Sequence, residues 1–392
     1  MEQLFFRFNP WWEGEISHSF VKRKAYLSLM EQSLERKDVA ILTGLRRIGK
    51  TTLMKLLIIG LIKSYHIEPK RIFYISLDTY GLERFSIMEI IDEYRKIHKL
   101  PFSEQVFLFL DEIAYRQNFQ RELKNLYDLG NVKVYASSSS SSILKDGKAH
   151  LTGREKIIEI LPLTFEEYLL FKDIKLSKAD SHLLERYFDD YMQSGGIPEY
   201  VLTGDVAYLS ELLDDIIYKD IIAAHGIKDN RIIRDYFRLL MERAGKQVSL
   251  NKVAKILGIG VDTARRYLGY FEDTYLIHPI ERCAKLNERL RSPKKIYAGD
   301  IGIKNLFTGF RDKDAVFENL VYLQIRHKNP CYLYKNKIEI DFLTKDGILM
   351  EVKYYSELTD KQKKLFKSVD ANKKMLIKNV KDFKSLCEIT TH

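Results

Sequence analysis

The sequence has little of what marks secreted or membrane proteins. Only three cysteines occur in 392 residues, Cys283, Cys331 and Cys387, and their spacing indicates neither a zinc site nor a disulfide framework. No apolar run approaches the roughly 20 residues of a membrane-spanning helix. The first residues also lack the charged start and small-residue cleavage site of a secretory signal. We therefore expect a cytoplasmic protein, in a reducing compartment and without a membrane partner.

The excess of positive charge is small. The 64 Lys and Arg residues against 54 Asp and Glu give a net charge of +10, which alone favours a nucleic-acid partner only weakly over a merely basic enzyme. A hydrophobic share of 45% and a charged share of 30% are typical of a globular chain. The length leaves room for two or three domains.

One stretch does carry a specific signal. Residues 44–51 read GLRRIGKT, an unbroken G-x-x-x-x-G-K-[ST] phosphate-binding loop between an apolar run that predicts a buried strand and a predicted helix. The glycines let backbone N–H groups curl around phosphate oxygens, Lys50 would neutralise the β- and γ-phosphates, and Thr51 would hold Mg²⁺. The predicted cofactors are therefore ATP and Mg²⁺. The predicted nucleotide-binding residues are Gly44, Leu45, Arg46, Arg47, Ile48, Gly49, Lys50, Thr51 and Thr52.

A second motif follows with the right spacing. Residues 106–112 read VFLFLDE, five apolar residues running into two carboxylates, and a predicted strand lies between them and the loop. This pattern predicts a Walker B strand, in which Asp111 binds Mg²⁺ through water and Glu112 is the catalytic base that polarises the attacking water. The alternative is that strand ends often carry acids. An inserted strand is typical of the additional-strand, catalytic-glutamate class of P-loop ATPases.

Together the motifs of the chain resemble a known family. In order they are NPWW at 9–12, the phosphate loop, the LDE end, six serines at 137–142, LTGR at 151–154, LPLTFEEY at 161–168 and GGIPE at 195–199. The chain resembles, over nearly its whole length, prokaryotic AAA-type ATPases abundant in archaea that end in a restriction-endonuclease-like domain. The resemblance implies a five-stranded parallel sheet in the order 5-1-4-3-2, with ATP along its C-terminal edge.

The same resemblance suggests two further catalytic residues. Hydroxyls of the serine run lie where AAA proteins place their first sensor; Ser138 is the candidate, with other serines of the run as alternatives. Arg154 is a candidate sensor or finger arginine, acting in its own chain or offered to a neighbouring subunit, so that self-association, including ATP-dependent self-association, is expected. A plain surface arginine is the alternative. The NPWW stretch either flanks the adenine or holds the N-terminal segment on the core.

The middle of the chain changes character near residue 228. Residues 165–227 are helix-patterned and suit a lid, whereas residues 228–270 hold ten Lys and Arg against four Asp and Glu. Ser249 and Asp262 are predicted to cap two helices around Gly258-Ile-Gly260, a helix-turn-helix with a winged-helix strand after it. The second helix would bury Ala264, Tyr267, Leu268 and Phe271 and expose Arg265 and Arg266. These arginines contact DNA, or the module only packs the two halves together.

The C-terminal part contains a candidate metal site. A basic link at 289–295 precedes it, and Glu318 shares the face of a predicted helix with apolar residues. A three-residue loop ending in a left-handed Gly347 would place Asp341 opposite Glu351, where two carboxylates repel unless a cation lies between them. Lys353 falls on the same face. The set Glu318, Asp341, Glu351 and Lys353 is that of PD-(D/E)XK nucleases, whose carboxylates hold Mg²⁺.

The sequence thus predicts an α/β protein of four parts: a P-loop AAA-type ATPase core (1–164), a helical lid (165–227), a winged helix-turn-helix (228–290) and a nuclease-like domain (291–392). The predicted function is Mg-dependent ATP hydrolysis by an ATPase that acts on or with DNA. The alternative is a slow NTP-dependent switch whose C-terminal half is a non-catalytic interaction module.

Overall fold

The computed structural model describes residues 1–15, 20–141, 151, 153–177 and 179–390. Ser142 of the serine run and Thr152 of the LTGR motif lie outside these residues. The chain divides into two compact units, Met1–Leu161 and Pro162–His392. Among the helices described, none combines the length and the apolar character that crossing a bilayer requires.

The first unit is built on a five-stranded parallel sheet. Its strands lie in the order β2-β3-β4-β1-β5, so the predicted order 5-1-4-3-2 is confirmed. The strand before the phosphate loop and the strand that ends at Asp111 are buried at every position, as expected from the apolar runs that precede their polar last residues. The strands are β1 (Val39–Thr43), β2 (Ile72–Ser76), β3 (Val106–Asp111), β4 (Val132–Ser138) and β5 (Glu155–Glu159).

Helices cover this sheet. Helix α4 shows how the sequence starts one: Ser86 accepts a hydrogen bond from the Glu89 backbone and the Glu89 carboxylate accepts one in return, a reciprocal cap. Helix α3 begins at Lys50, directly after the phosphate loop, as predicted. The helices are α1 (Glu2–Phe8), α2 (Lys24–Glu31), α3 (Lys50–Lys63), α4 (Ile87–Ile97) and α5 (Phe119–Leu129), with 3₁₀ turns at Pro10–Glu13, Pro69–Arg71 and Ile113–Tyr115.

The NPWW stretch holds the N-terminal segment against edge strand β2. Asn9 is fully buried; its amide nitrogen donates to the Tyr74 carbonyl at 2.9 Å and its oxygen accepts from the Tyr74 N–H at 2.7 Å. Trp11 and Trp12 both donate their indole N–H to the Ile72 carbonyl. These bonds satisfy the open edge of the sheet. Of the two alternatives, the structure supports attachment to the core rather than contact with an adenine.

The second unit begins with a helical region. Its elements are α6 (Phe165–Phe171), α7 (Leu184–Ser194), α8 (Pro198–Thr203) and α9 (Val206–Asp215), a 3₁₀ turn at Ala179–Leu183 and a π-helix at Ile216–Ala223. Gly195 must be glycine: its φ is +74°, and a Cβ there would lie 2.4 Å from the Gly302 nitrogen. The neighbouring Gly196 N–H donates to the buried Asp300 carboxylate at 2.7 Å. The GGIPE motif therefore serves close packing against the segment around residue 300.

The basic middle segment forms helices and a small sheet. Strand β8 pairs antiparallel with both β6 and β7. Two sequence details are corrected. Gly260 rather than Asp262 occupies the N-cap of the second helix, and of residues 289–295, predicted as a link, all but Ser292 and Pro293 belong to a helix or a strand. The elements are α10 (Asn230–Glu242), β6 (Gln247–Val248), α11 (Leu250–Leu257), α12 (Val261–Asp273), β7 (Ile277–Ile280), α13 (Leu286–Arg291) and β8 (Lys294–Ala298).

The C-terminal part has a four-stranded sheet in the order β12-β11-β10-β9. The predicted hairpin is confirmed: Phe342 pairs with Met350, the Thr344 N–H donates to the Ile348 carbonyl, and Gly347 has φ +82°. The elements are α14 (Ile301–Thr308), α15 (Lys313–Ile325), a 3₁₀ turn at Arg326–Lys328, β9 (Cys331–Lys335), β10 (Ile338–Leu343), β11 (Ile348–Val352), α16 (Asp360–Ser368), β12 (Lys373–Ile377) and α17 (Val380–Thr390).

The cysteines differ from the sequence prediction. Cys283 and Cys331 form a disulfide, and Cys387 is a buried free thiol. The two partners are 48 residues apart in sequence. They meet because the backbone around Cys283 runs parallel to the start of β9, where the Cys283 N–H donates to the Tyr332 carbonyl. Spacing alone could not reveal that neighbourhood.

Candidate nucleotide site and a buried charge cluster

The phosphate loop has the backbone of an anion cradle. Gly44 has φ +138° and a Cβ there would lie 2.3 Å from the Ile160 carbonyl oxygen, while Gly49 has φ +101°. Both positions therefore require glycine. The Lys50 side chain is 5% exposed and its amine donates to the Gly44 and Leu45 carbonyls, each at 3.0 Å. The loop thus holds the Lys50 ammonium group at the N-terminus of helix α3, where the backbone N–H groups also favour an anion.

Three hydroxyls converge on the Asp111 carboxylate. Thr51 Oγ1 donates to Asp111 Oδ2 at 2.6 Å, and the Tyr74 hydroxyl donates to the same oxygen at 2.8 Å. The Ser137 hydroxyl donates to the other oxygen, Oδ1. These hydrogen bonds fix the position of the carboxylate beside the loop, the arrangement needed for a second-sphere Mg²⁺ ligand.

Glu112 lies beside this carboxylate in an unusual backbone conformation. Its φ of +54° is in the left-handed region, which a non-glycine residue adopts only at an energetic cost. Burial raises the pKa of the Glu112 carboxyl, and the nearby Lys50 partly offsets that effect. A carboxylate with a raised pKa is better suited to accept a proton near neutral pH than an exposed one.

The serine run contributes through alternate residues. The Glu112 N–H donates to Ser137 Oγ at 3.0 Å, and Ser139 Oγ donates to Glu112 Oε2 at 3.2 Å. Ser138, the predicted sensor, instead bonds within its own turn to Ser140. The correction follows from strand geometry, because side chains two residues apart share a face and the residue between them faces the other way. Tyr74, Ser137 and Ser139 were not singled out from the sequence.

Arg154 is not part of this site. It precedes β5 at the edge of the sheet where β1 begins, and its carbonyl accepts from the Val39 N–H, whereas the phosphate loop follows the other end of β1. Its guanidinium lies 3.8 Å from Asp128 Oδ1 and over the Tyr127 ring. A sensor role within the same chain is therefore wrong. A role toward a neighbouring subunit stays a prediction.

The residues of the loop and the acidic pair fit the predicted cofactors. The Gly44 position would be filled by any Cβ, the Lys50 amine faces loop carbonyls, and Thr51 and Asp111 present adjoining oxygens. Thr51 and Asp111 would hold Mg²⁺, and residues 44–52 would hold the phosphates of ATP.

The C-terminal carboxylates surround a lysine. Lys295 of β8 is 1% exposed, and its ammonium nitrogen lies 2.7 Å from Glu318 Oε1, 2.6 Å from Glu339 Oε1 and 3.0 Å from Asp341 Oδ1. Lys353 lies 2.7 Å from Glu351 Oε1 and 3.8 Å from Asp341 Oδ2. Glu318 and Asp341 do come together as predicted, and Glu351 accepts from the Asp341 N–H. The cation between the carboxylates is an ammonium of the chain itself.

Burial and mutual repulsion set the protonation of this cluster. Burial, followed by the charge of Asp341, raises the pKa of Glu318 to about 7 and that of Glu351 to about 8. The pKa of Asp341 is lowered: burial opposes ionisation there, but the charges of Lys295 and Lys353 outweigh it. Two ammonium groups thus face four carboxyls, two of which take up protons readily. Little uncompensated negative charge remains to attract a divalent ion.

The predicted metal site at Glu318, Asp341 and Glu351 is corrected accordingly. Within the described part of the chain, no group of three or more His, Cys, Asp or Glu side chains is placed to hold a metal ion. The physical reason is Lys295, which sequence reasoning assigned to a link. Nothing in the sequence next to Lys295 indicates that its side chain reaches these carboxylates.

The basic helix α12 has the predicted faces. Ala264, Leu268 and Phe271 are buried and Arg265 and Arg266 are exposed, while Tyr267 is half-buried. Arg265 pairs with Asp262 at 2.8 Å, but Asp262 is 95% exposed, so the pair is weak.

Two family models match separate stretches of the chain. Residues 36–169 match a family described as an AAA domain. The first unit has an AAA-type P-loop ATPase fold. Residues 185–314 match a family described only as a domain of unknown function, so that match assigns no activity to the second unit.

Three relatives cover most of the chain. An uncharacterized protein of Methanocaldococcus jannaschii is 29% identical over 374 residues, covering 90% of this chain and 82% of the relative. A second uncharacterized protein of that archaeon is 28% identical over 303 residues, covering 69% and 62%. An uncharacterized protein of Haemophilus influenzae is 23% identical over 325 residues, covering 79% and 80%.

Solved structures are more distant. The Walker-type ATPase of Pyrococcus abyssi gives a TM-score of 0.44 at 14% identity, covering 74% of this chain and 96% of that one. Saccharomyces cerevisiae Hsp104 in complex with ADP gives 0.32 at 15% identity, covering 63% and 49%. At these scores neither likeness bears on function.

Proposed function

We propose that this protein is a Mg²⁺-dependent ATPase whose second unit contacts DNA. The observation that carries the ATPase proposal is the convergence of the Thr51, Tyr74 and Ser137 hydroxyls on Asp111, next to Lys50 and the left-handed Glu112. A chain that needed the loop only for folding would have no reason to gather these groups. Cytoplasmic location is part of the same proposal.

The roles of the residues follow from their contacts. Lys50, now bonded to loop carbonyls, exchanges those acceptors for phosphate oxygens. Thr51 and Asp111 would hold Mg²⁺, which would neutralise charge on the phosphates. Glu112 accepts the proton of the attacking water, and Ser139 orients its carboxylate. Ser137 fixes both acids at once, because it bonds to the side chain of one and the backbone of the other.

The experiment is ATP turnover by the full chain with and without Mg²⁺ and duplex DNA. The proposal expects turnover that requires Mg²⁺ and rises with DNA. Turnover that requires Mg²⁺ but ignores DNA would leave the ATPase proposal standing and remove the DNA part.

The DNA part rests on the architecture and charge of residues 228–298. Their order is helix, strand, two helices, strand, short helix and strand, and β8 pairs with both β6 and β7. This order supports a winged helix that has the extra helix α13 between its last two strands and α12 in the recognition position. The exposed face of α12 carries Arg265 and Arg266, and surrounding residues add further positive charge. Such a face suits phosphate contacts.

A second candidate is favoured by Lys295. If the carboxylate cluster is balanced internally, the C-terminal part is a non-catalytic interaction module, and the protein is a slow NTP-dependent switch. Metal-dependent nicking of supercoiled DNA separates the candidates. Nicking that is lost in Asp341→Asn would restore a nuclease function.

A further inference from the structure

A separate cavity in the second unit has no role in the functions above. It has a volume of about 440 Å³ and lies between helices α10 and α14 and the turn before α15. That size is within the range of small-molecule sites. Its ionisable lining residues are three cations and two acids: Arg238, Lys304, Arg311, Glu242 and Asp312.

Lys304 is the unusual member of this lining. The residue is 3% exposed, and within the described ranges its amine has no hydrogen-bond or ion-pair partner in the protein. Burial lowers the pKa of the Lys304 amine, and only Asp312 acts against that effect through its charge. The side chain is therefore almost entirely enclosed while its ammonium group lies at the cavity wall with no partner from the described residues, so only an occupant of the cavity can contact it. A bound anion would supply the missing partner.

The two acids are already engaged. Asp312 Oδ1 accepts the Ala315 N–H as the cap of α15, and its other oxygen lies 3.7 Å from the Lys246 ammonium. Glu242 lies 3.9 Å from Arg238. The cations of the lining that remain without an ion-pair partner among the described residues are Lys304, at the cavity wall, and Arg311, which is exposed. The cavity therefore has an unbalanced positive charge.

We propose that this cavity binds a small phosphorylated ligand, with Lys304 and Arg311 as the residues that hold its phosphate group. An arginine fork and a lysine point charge are the usual protein ligands of phosphate. Met241 and Phe307 provide an apolar wall for the rest of the ligand. A phosphodiester chain fits less well, because an ammonium that is 3% exposed is reached by a terminal group rather than by a continuous backbone.

The test uses inorganic phosphate as the probe and the full chain carrying Lys50→Ala, which weakens phosphate binding at the loop. Thermal unfolding is followed as phosphate is added. Lys304→Met and Arg311→Gln are each introduced into this background; the first removes a buried, unpartnered charge and the second an exposed one, so both variants should fold. Lys364→Met, an exposed lysine on α16, is the matched control.

Phosphate is expected to raise the Tm of the Lys50→Ala chain, as any ligand of the native state does. Lys304→Met and Arg311→Gln should weaken the apparent affinity at least about tenfold, a loss typical of one charge-assisted contact, and Lys364→Met should not. No phosphate response in the background chain, or an equal response in Lys304→Met, overturns the proposal. If Lys304→Met instead weakens binding of a short duplex and leaves the phosphate response unchanged, the assignment to a small ligand is wrong.

Discussion

The Ser137 hydroxyl donates a hydrogen bond to Asp111 Oδ1 and accepts one from the backbone N–H of Glu112. The register of the sheet makes this contact, since Leu110 of β3 pairs with Ala136 of β4. The next residues along the two strands, Asp111 and Ser137, therefore lie side by side at this edge. A single hydroxyl thus fixes the position of the proposed Mg²⁺ ligand and the backbone of the proposed base.

Ser137→Ala should therefore lower ATP turnover about tenfold or more, because both acids lose their common support and small displacements of catalytic groups are costly. Ser138→Ala is the matched control, since the hydrogen bonds of that hydroxyl to described residues stay within its own turn. Steady-state turnover at saturating ATP and Mg²⁺ measures both. Equal rates in the two variants would show that Ser137 has no part in catalysis.

Lys295→Met should convert the charge cluster into a divalent-metal site. Removing one partner of a buried ion pair leaves unpaired carboxylates and costs about 3–5 kcal/mol, so the variant should unfold at a lower temperature. Mn²⁺ should then raise the Tm of Lys295→Met and leave the parent Tm unchanged, because the parent supplies its own cation.

The control is the triple variant that adds Asp341→Asn and Glu351→Gln to Lys295→Met, which should lose the response to Mn²⁺. A rise of the parent Tm with Mn²⁺ that disappears in Asp341→Asn/Glu351→Gln would contradict the internal balance and support the metal site that the sequence predicted.

Glu351→Gln should flatten the pH dependence of stability. The pKa of Glu351 is raised from its ordinary 4.5 to about 8, chiefly by burial, so folding takes up a proton between these values. The resulting stability is fully present below pH 4.5 and is lost as the pH rises through about 8. A glutamine cannot titrate, so the Tm of the variant should fall less across this window.

Thermal unfolding at a series of pH values measures the slope. Glu211→Gln, an exposed glutamate on α9, is the control and should keep the parent slope. A variant slope identical to that of the parent would mean that the Glu351 carboxyl does not take up a proton on folding.

The first unit could be predicted well because its site is built from short, continuous sequence motifs. The phosphate loop fixes glycine positions, a strand before it and a helix after it, and the LDE strand ends at the same edge of the sheet, so the contact of Thr51 with Asp111 followed from topology. The choice of Ser137 over Ser138 depended on which residue of β4 faces that edge. Tyr74 carried no motif at all.

The second unit was less predictable because its contacts are distant in sequence. The hairpin that aligns Asp341 with Glu351 was readable from its turn, but Lys295 reaches the carboxylates from a strand 46 residues away. Cys283 and Cys331 likewise meet only through tertiary packing. Residues 289–295, predicted as a link, contain Lys295, whose ammonium group takes the place predicted for a metal ion.

Replacing Arg265 and Arg266 with Ala should weaken duplex binding and make its salt dependence shallower. Each lost phosphate contact reduces the log–log slope by up to about one unit, because fewer condensed counterions are released. Lys63→Ala/Lys96→Ala, which removes two exposed charges from the first unit, is the control. The measurement is a fluorescence titration with duplex DNA at several salt concentrations. An unchanged slope for the arginine variant means that α12 does not contact the DNA backbone.

The most direct test of the account compares nucleotide binding and turnover in Glu112→Gln, with Lys50→Ala as the reference. Glu112→Gln should bind ATP as the parent does while turnover falls about 10²–10⁴-fold, because only proton acceptance is lost. Lys50→Ala should lose affinity for ATP, since the phosphate charge is no longer compensated. Hydrolysis by Glu112→Gln at the parent rate would contradict the assignment of this site as the centre of an ATPase.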